Sequence, residues 1–566
     1  MPPPSTAAES DAREAQAAER ALALGRARAA SRALERPGVA TAATVLALGG
    51  SIVFLLARLV PDVRGKPLFS DEVLAGLTSV HPLGELLDVV LSDRGGAPLH
   101  FVLAHVALVL DPSVEALRWL SLVFALATVP VCYDLGRRLA GRTAGVVAAV
   151  VAATSSMLAV YGTVGRMYAL LAFSSAVAVD LFVRALDHRT PRAVAAAAVA
   201  AWFLPAVHPY GIVVVAIEAL VALAVWRGRP LRPALPVFAL AAALTPFVIA
   251  DLRLSERFGV AAFERESVAP PDFAAQQLGE ALAAFAGGQG LLALAFFGLA
   301  VGGLFVAARR RPAFGAFAVL ALAAIPILMV VVRAEDELVH LLSPRHLTFA
   351  LPVWAALVGV GVARAVRDLP RSLAALGVLA VLAAAALAPS GITDPRIDAN
   401  ADRASLAGAA GWVRTHADEG SVLLFYSPVY LAALPEAGDA TPVSRSGRPV
   451  RMVARADYPV SSVVVTLPLA GTRVNEEALR ARLRPGSDVG VFPEWLVLET
   501  AGPFADEGAV LAAGRDAFVA VRASTRRRDF PFRRSLRGGL VTVCEALAEL
   551  GDACSERVLP PVRRSR

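Results

Sequence analysis

Apolar stretches close to 20 residues long recur from Gly38 to Pro389, and no other feature constrains the fold as strongly. A helix of about 20 apolar residues matches the hydrocarbon core of a bilayer, and a soluble chain has no use for a succession of them. Over 566 residues the chain is 56% hydrophobic and only 18% charged, a balance that soluble proteins of this length do not keep. The sequence therefore specifies a polytopic α-helical membrane protein.

The spans fall at about 38–60, 114–136, 143–161, 166–186, 191–207, 209–226, 233–252, 290–308, 313–333, 346–366 and 370–388. Arginine placement sets their direction. Arg137, Arg138 and Arg142 share one loop, and Arg184, Arg189 and Arg192 share the loop two spans later. Arg227, Arg229 and Arg232 follow, then Arg309, Arg310 and Arg311, then Arg364, Arg367 and Arg371. Every second loop is basic, so these loops are expected in the cytoplasm. The run Ala97–Leu110 is apolar but short for a span, and counting it as one would break the alternation. Reading it as interfacial leaves about eleven spans, with the N-terminus cytoplasmic and the C-terminus extracytoplasmic.

Residues 1–37 alternate Ala with Arg and Glu and contain no apolar signal region, so they read as a cytoplasmic tail or amphipathic helix. Residues 38–392 form the transmembrane domain, with a polar first outer loop at 61–96. Composition shifts after Pro389, and 393–525 reads as a small extracytoplasmic α/β domain. Its expected strands are 422–426, 463–467 and 518–522, with helices at 401–416, 476–483 and 507–513. Short strands separated by helices suggest a parallel or mixed sheet. Such a domain could act as a lid, an acceptor-binding module or a packing appendage. Residues 526–566 form a basic tail with a helix at 536–550, which either meets anionic lipid headgroups or is simply solvated. Cys132 lies in an apolar run as a core residue, whereas Cys544 and Cys554 flank the tail helix and would be either bridged or free thiols.

Lys66 is the sole lysine, and the formal charge of +7 is spread among loops rather than gathered in a stripe. That distribution argues against nucleic-acid binding. The spans show no inverted repeat and no discontinuous pair, which weighs against a transporter.

The polar residues worth noting sit where spans meet water on the outer side. Asp71 and Glu72, in Ser70-Asp71-Glu72-Val73, are an acidic pair just past the first span. Alone, they read as acids at a helix N-terminus capped by Ser70. Arg166 and Arg345 stand at outer boundaries, against the positive-inside bias, which sets them apart from arginines that merely snorkel. Transfer of a sugar from a lipid phosphate needs a carboxylate to accept the proton of the incoming hydroxyl. It also needs fixed cations for the charge that grows on the leaving phosphate. Asp71 and Glu72 fit the first role, and Arg166 and Arg345, with Tyr168, His208 and Tyr210 nearby, fit the second. His208-Pro209-Tyr210-Gly211 forms an outer turn that reads equally as an interfacial aromatic anchor. His100 and His105 are five residues apart, off one helix face, so they do not form a metal pair, and no HExxH or Cys/His cluster exists. A divalent cation could bind Asp71 or Glu72, but a monophosphate held by arginines has less need of one; no cofactor is required.

At these residues the chain resembles the GT-C superfamily of membrane glycosyltransferases, in its protein mannosyltransferase and aminoarabinose-transferase-like branch. The resemblance rests on Asp71-Glu72, Ala97-Pro98-Leu99-His100-Phe101, Leu135-Gly136-Arg137-Arg138-Leu139-Ala140-Gly141-Arg142, Gly165-Arg166-Met167-Tyr168-Ala169-Leu170, His208-Pro209-Tyr210-Gly211 and Arg345-His346-Leu347. It covers roughly residues 38–370. It implies a polyprenyl-phosphate-linked sugar donor, an inverting single displacement, and Asp71 as general base with Glu72 second. The acceptor would be a glycan, lipid or protein hydroxyl, with His100 and His346 on the acceptor side and membrane lipids as surroundings. His100 stands where the family usually has an aromatic residue, and Pro98 is single where two prolines are common. The competing readings are a lipid or solute transporter and a non-catalytic scaffold of cell-envelope assembly.

Overall fold

The computed structural model describes residues 37–65, 70–79, 81–91, 98–111, 113–225, 245–247, 249, 283–285, 290–333, 344–387, 403–418, 420–424, 427–433, 458–469, 471–525, 530–552, 554, 555 and 558. The membrane part opens with α1 (Pro37–Gly65), followed by three shorter helices, α2 (Ser70–Ser79), α3 (Leu83–Val89) and α4 (Pro98–Leu110). Then come α5 (Val114–Ala140), α6 (Arg142–Thr154), α7 (Ser156–Tyr161), α8 (Tyr168–His188), α9 (Pro191–Val207) and α10 (Gly211–Val225). After 245–249 and 283–285 the bundle resumes with α11 (Leu291–Arg310) and α12 (Pro312–Arg333). A 3-10 turn (Pro344–Ala350) leads into α13 (Leu351–Ala365), and α14 (Arg371–Leu387) completes the bundle.

Among the described residues five helices are long and apolar enough to cross a bilayer, and six shorter apolar helices accompany them. The expected span at 233–252 lies largely outside the described residues. The stretch 143–161 is broken at Ser155, whose extended backbone ends α6 and whose side chain accepts the Met157 amide to start α7. A discontinuous span is thus present that the apolar run conceals, because Ser155 satisfies the freed backbone group locally. At 13 residues α4 extends about 20 Å, short of the hydrocarbon thickness.

Helix α13 runs through the centre, buried on all sides from Leu351 to Val362. Glycines let its backbone touch its neighbours. A Cβ on Gly361 would lie 2.0 Å from the Leu299 carbonyl oxygen, and one on Gly359 would lie 2.3 Å from that of Ala144. Close backbone approach of this kind supplies packing between helices where lipid offers no hydrophobic drive.

Three of the basic loops, those with Arg138, Arg184 and Arg311, gather at one end of the bundle. Asp134 on α5 accepts hydrogen bonds from Arg137 and Arg138 at 2.6 and 2.7 Å. Arg138 reaches Asp180 on α8 at 3.0 Å, and Arg311 pairs with Asp187 at 2.6 Å. Helices α5 and α8 therefore run in the same direction, and their N-terminal ends share the opposite face.

The C-terminal domain is a four-stranded mixed sheet of order β1-β2-β4-β3. It comprises α15 (Arg403–His416), β1 (Ser421–Leu424), α16 (Pro428–Ala433), β2 (Val460–Pro468), α17 (Glu476–Arg480), β3 (Asp488–Val491), β4 (Trp495–Phe504), α18 (Glu507–Ser524) and α19 (Phe530–Glu549). β1 and β2 are parallel, and the other pairs are antiparallel. Alternate side chains of β2 enter two cores: Val463 and Val465 join α18 and α19, and Val464 joins α15 and α16.

Two sequence expectations change here. Residues 518–522 are helical rather than a strand, because Asp506 caps α18 and Val510, Leu511, Ala517, Phe518 and Val521 share one buried face at helical spacing. The helix at 536–550, expected in a separate basic tail, begins at Phe530. It buries Phe532, Leu536, Leu540, Val543 and Leu547 in the same core as the sheet, so its apolar face is spent on the domain. Cys544 and Cys554 are bridged, with Cα atoms 5.4 Å apart. The domain rests on the membrane part where α16 packs against α2, the helix that carries Asp71 and Glu72.

Candidate active site

The first loop is held at both ends of α2. At its start Glu72 is 1% exposed, and Arg118, one turn into α5, clamps it with Nε on Oε1 and Nη2 on Oε2, both at 2.8 Å. The third Arg118 nitrogen, Nη1, donates to the Val63 carbonyl at the end of α1 at 3.1 Å. At the other end of α2 the His105 Nδ1 on α4 lies 2.9 Å from the Ser79 carbonyl oxygen. A buried bidentate carboxylate–guanidinium pair is directional and stiff, so it fixes where the loop starts.

Glu72 Oε1 also accepts the Gly165 amide at 2.7 Å. Gly165 belongs to the connection 162–167 between α7 and α8, where Ser121 Oγ donates to the Val164 carbonyl at 2.6 Å. A Cβ at Gly165 would stand 2.7 Å from the Leu117 Cβ and 3.3 Å from Glu72 Oε1, so glycine is what lets the loop close on the acid. The next residue is Arg166. The neighbours of Asp71 and Arg166 in the chain are thus bonded to each other across 93 residues.

Arg166 is 9% exposed, and its Nε and Nη1 have no hydrogen-bond partner among the described residues. Around it Tyr161, Tyr168, His208 and Tyr210 form a chain of rings with successive centroids 5.2, 6.0 and 5.4 Å apart. His208 Nδ1 accepts the Tyr210 amide at 3.0 Å, which fixes the ring in the turn between α9 and α10. Burial, and then the charges of Arg166 and Arg345, push the His208 pKa down to about 3. Arg345, in the 3-10 turn, therefore lies within electrostatic reach of the same ring as Arg166. His100, 2% exposed at the start of α4, feels Arg166 and His208 in the same way.

The sequence-derived residues Glu72, Arg166, Tyr168, His208, Tyr210, Arg345 and His100 thus share one end of the bundle, the one opposite the basic loops. Asp71 is the second residue of α2 and His346 lies in the 3-10 turn; their side chains lie outside the described residues. Among the described residues no three His, Cys, Asp or Glu side chains gather as a metal site. The sequence reading passed over Arg118 and Ser121. A signal for Arg118 existed: an arginine inside an apolar helix needs an acid partner, and Glu72 is the buried one at that end.

No protein-family profile matches the chain, and no curated protein matches it. Among solved structures, ArnT from Cupriavidus metallidurans superposes with a TM-score of 0.51 in the apo state and 0.54 bound to undecaprenyl phosphate. The identity is 14%, over 82% of this chain and 100% of that one. The fold is similar to that of GT-C glycosyltransferases. The archaeal oligosaccharyltransferase of Archaeoglobus fulgidus gives a TM-score of 0.46 at 14% identity, over 74% of this chain and 69% of that one. At such identities the GT-C likeness concerns the fold alone, and the chemistry rests on the residues described above.

Proposed function

We propose that this protein is a membrane glycosyltransferase that moves a sugar from a polyprenyl-phosphate donor to an extracytoplasmic acceptor hydroxyl. The observation that carries the reading is Arg166, a buried guanidinium whose Nε and Nη1 have no hydrogen-bond partner among the described residues, set one residue from the glycine that Glu72 holds. A buried cation of this kind is strongly disfavoured until an anion reaches it, and a phosphate presents acceptor oxygens in the geometry the guanidinium fork matches.

The reaction is a single displacement. The acceptor oxygen attacks the anomeric carbon, its proton passes to Asp71, and the bond from that carbon to the phosphate oxygen breaks with its electron pair on the phosphate. Arg166 and Arg345 offset that charge as it grows. Glu72, with both oxygens held by Arg118, is a positioning residue in this scheme: it sets the distance between base and phosphate clamp. The solved ArnT structure with undecaprenyl phosphate supports a lipid monophosphate as donor carrier. The alternation of basic loops supports an N-terminus inside and a C-terminus outside.

The test is transfer by purified protein in lipid vesicles, offered a panel of radiolabelled polyprenyl-phosphate sugars and total envelope extract. Label should move to an acceptor and stay put in Asp71→Asn and Arg166→Gln. Absence of transfer from every donor, with lipid-phosphate binding unchanged in Arg166→Gln, would overturn the reading.

A further inference from the structure

We propose that His100 is a catalytic residue whose Nε2–H donates to the phosphate oxygen that leaves the sugar. The inference rests on the donor reading above and adds to it the group that meets the third oxygen. Three observations lead to it. His100 is 2% exposed, and its Nε2 has no hydrogen-bond partner among the described residues. Arg166, whose Nε and Nη1 are equally unengaged, lies within electrostatic reach of it. The ring is anchored at the first turn of α4, a helix packed on α2, α5 and α9, so it is held in place before any ligand arrives. A buried polar nitrogen left unbonded is disfavoured, and here it lies within electrostatic reach of an arginine whose Nε and Nη1 have no hydrogen-bond partner among the described residues.

The chemistry calls for such a group. The donor phosphate is a diester with one negative charge on its two non-bridging oxygens, which two guanidiniums match. As the sugar departs, the bridging oxygen becomes a third terminal oxygen and the phosphate gains a second charge. A donor aimed at that oxygen is engaged more strongly in the transition state than in the substrate, and only such a difference raises kcat. Burial first, then Arg166 and His208, push the His100 pKa down to about 3, so in the unliganded site the ring is uncharged, and in the tautomer with its proton on Nε2 it donates without giving that proton up. The acceptor's proton still goes to Asp71, and the electron pair of the broken bond stays on the phosphate.

The inference predicts a split between esters. Binding of farnesyl phosphate, a monoester standing for the product, and of farnesyl methyl phosphate, a diester standing for the donor, is measured by calorimetry on the full chain in micelles. Turnover is measured alongside. His100→Phe should weaken the monoester by about ten-fold or more, leave the diester within about two-fold, and lower kcat about 10- to 100-fold with donor KM nearly unchanged. His100→Gln, which keeps an N–H donor, should recover part of both losses. Retained diester binding shows that the variant is folded. If His100→Phe no longer binds the diester, His100→Gln decides: monoester binding and kcat lowered together, with the diester kept, sustain the assignment. Equal loss of both esters in both variants, or no loss in either, overturns the role of His100 while leaving the donor reading intact. Failure of the parent protein to bind either ester overturns the donor reading itself.

Discussion

Glu72 and Gly165 are joined by one hydrogen bond of 2.7 Å, from the Gly165 amide to Glu72 Oε1, that ties the first loop to the connection before α8. Each partner is one residue from a group in the proposed chemistry, Asp71 on one side and Arg166 on the other. The contact therefore ties the backbone beside the proposed base to the backbone beside the proposed phosphate clamp, and Arg118 holds Glu72 in the orientation that makes it.

Removing either member of the Glu72–Arg118 pair leaves the other buried without its bidentate partner. Glu72→Leu or Arg118→Leu alone should destabilise the protein by about 3–5 kcal/mol, and the double variant should recover a large part of that loss. Thermal unfolding in micelles checks this. Turnover should stay low in all three, because the loop register is gone even where stability returns.

Gly165→Ala tests the same contact without touching a charge. The new Cβ would meet Leu117 at 2.7 Å and Glu72 Oε1 at 3.3 Å, so the loop must move outwards. We expect a stability loss of about 1–3 kcal/mol, as for overpacked cores, with a larger fall in kcat than in donor affinity. Steady-state kinetics with a range of donor concentrations separates the two.

At the centre of the bundle, Gly361→Ala should be far more damaging than its size suggests. Its Cβ would fall 2.0 Å from the Leu299 carbonyl oxygen, backbone that cannot rotate away. The helices α11 and α13 would have to separate, and the variant should aggregate on extraction or unfold well below the parent. Gly298→Ala on the same helix α11 has nothing within 4 Å of its Cβ and should be neutral or slightly stabilising.

The C-terminal domain should lose stability in acid. The hydrogen bond from Arg480 holds the Asp488 carboxyl below the usual carboxylate range, although burial opposes this, and hydrogen bonds from Ser461 and others hold Asp418 down likewise. A depressed folded-state pKa gives stability that is complete above the unfolded value near 3.9 and is lost as pH falls through the folded one. Thermal unfolding of the full chain followed at Trp412 and Trp495 should therefore shift little from pH 8 to 5 and downwards below about 4. In Asp488→Asn the part of the acid shift owed to this group should disappear.

The sequence by itself determined the solvent of this protein and the side on which its polar residues collect. Apolar runs near span length demand lipid, and arginines in alternate loops mark one end of the bundle, so that pattern alone assigns Glu72, Arg166, His208 and Arg345 to the opposite face. Short-range signals also sufficed for helices such as α9, where Thr190 caps and Pro191 starts the first turn. What only the tertiary structure decided is which of these residues meet. Arg118 and Glu72 are 46 residues apart and Glu72 and Gly165 are 93 apart, and no periodicity encodes a contact at that separation. The break at Ser155 and the helical state of 518–522 were hidden for a related reason. Hydropathy reports that a segment is buried, and only its neighbours decide whether a buried segment bends, pairs or coils.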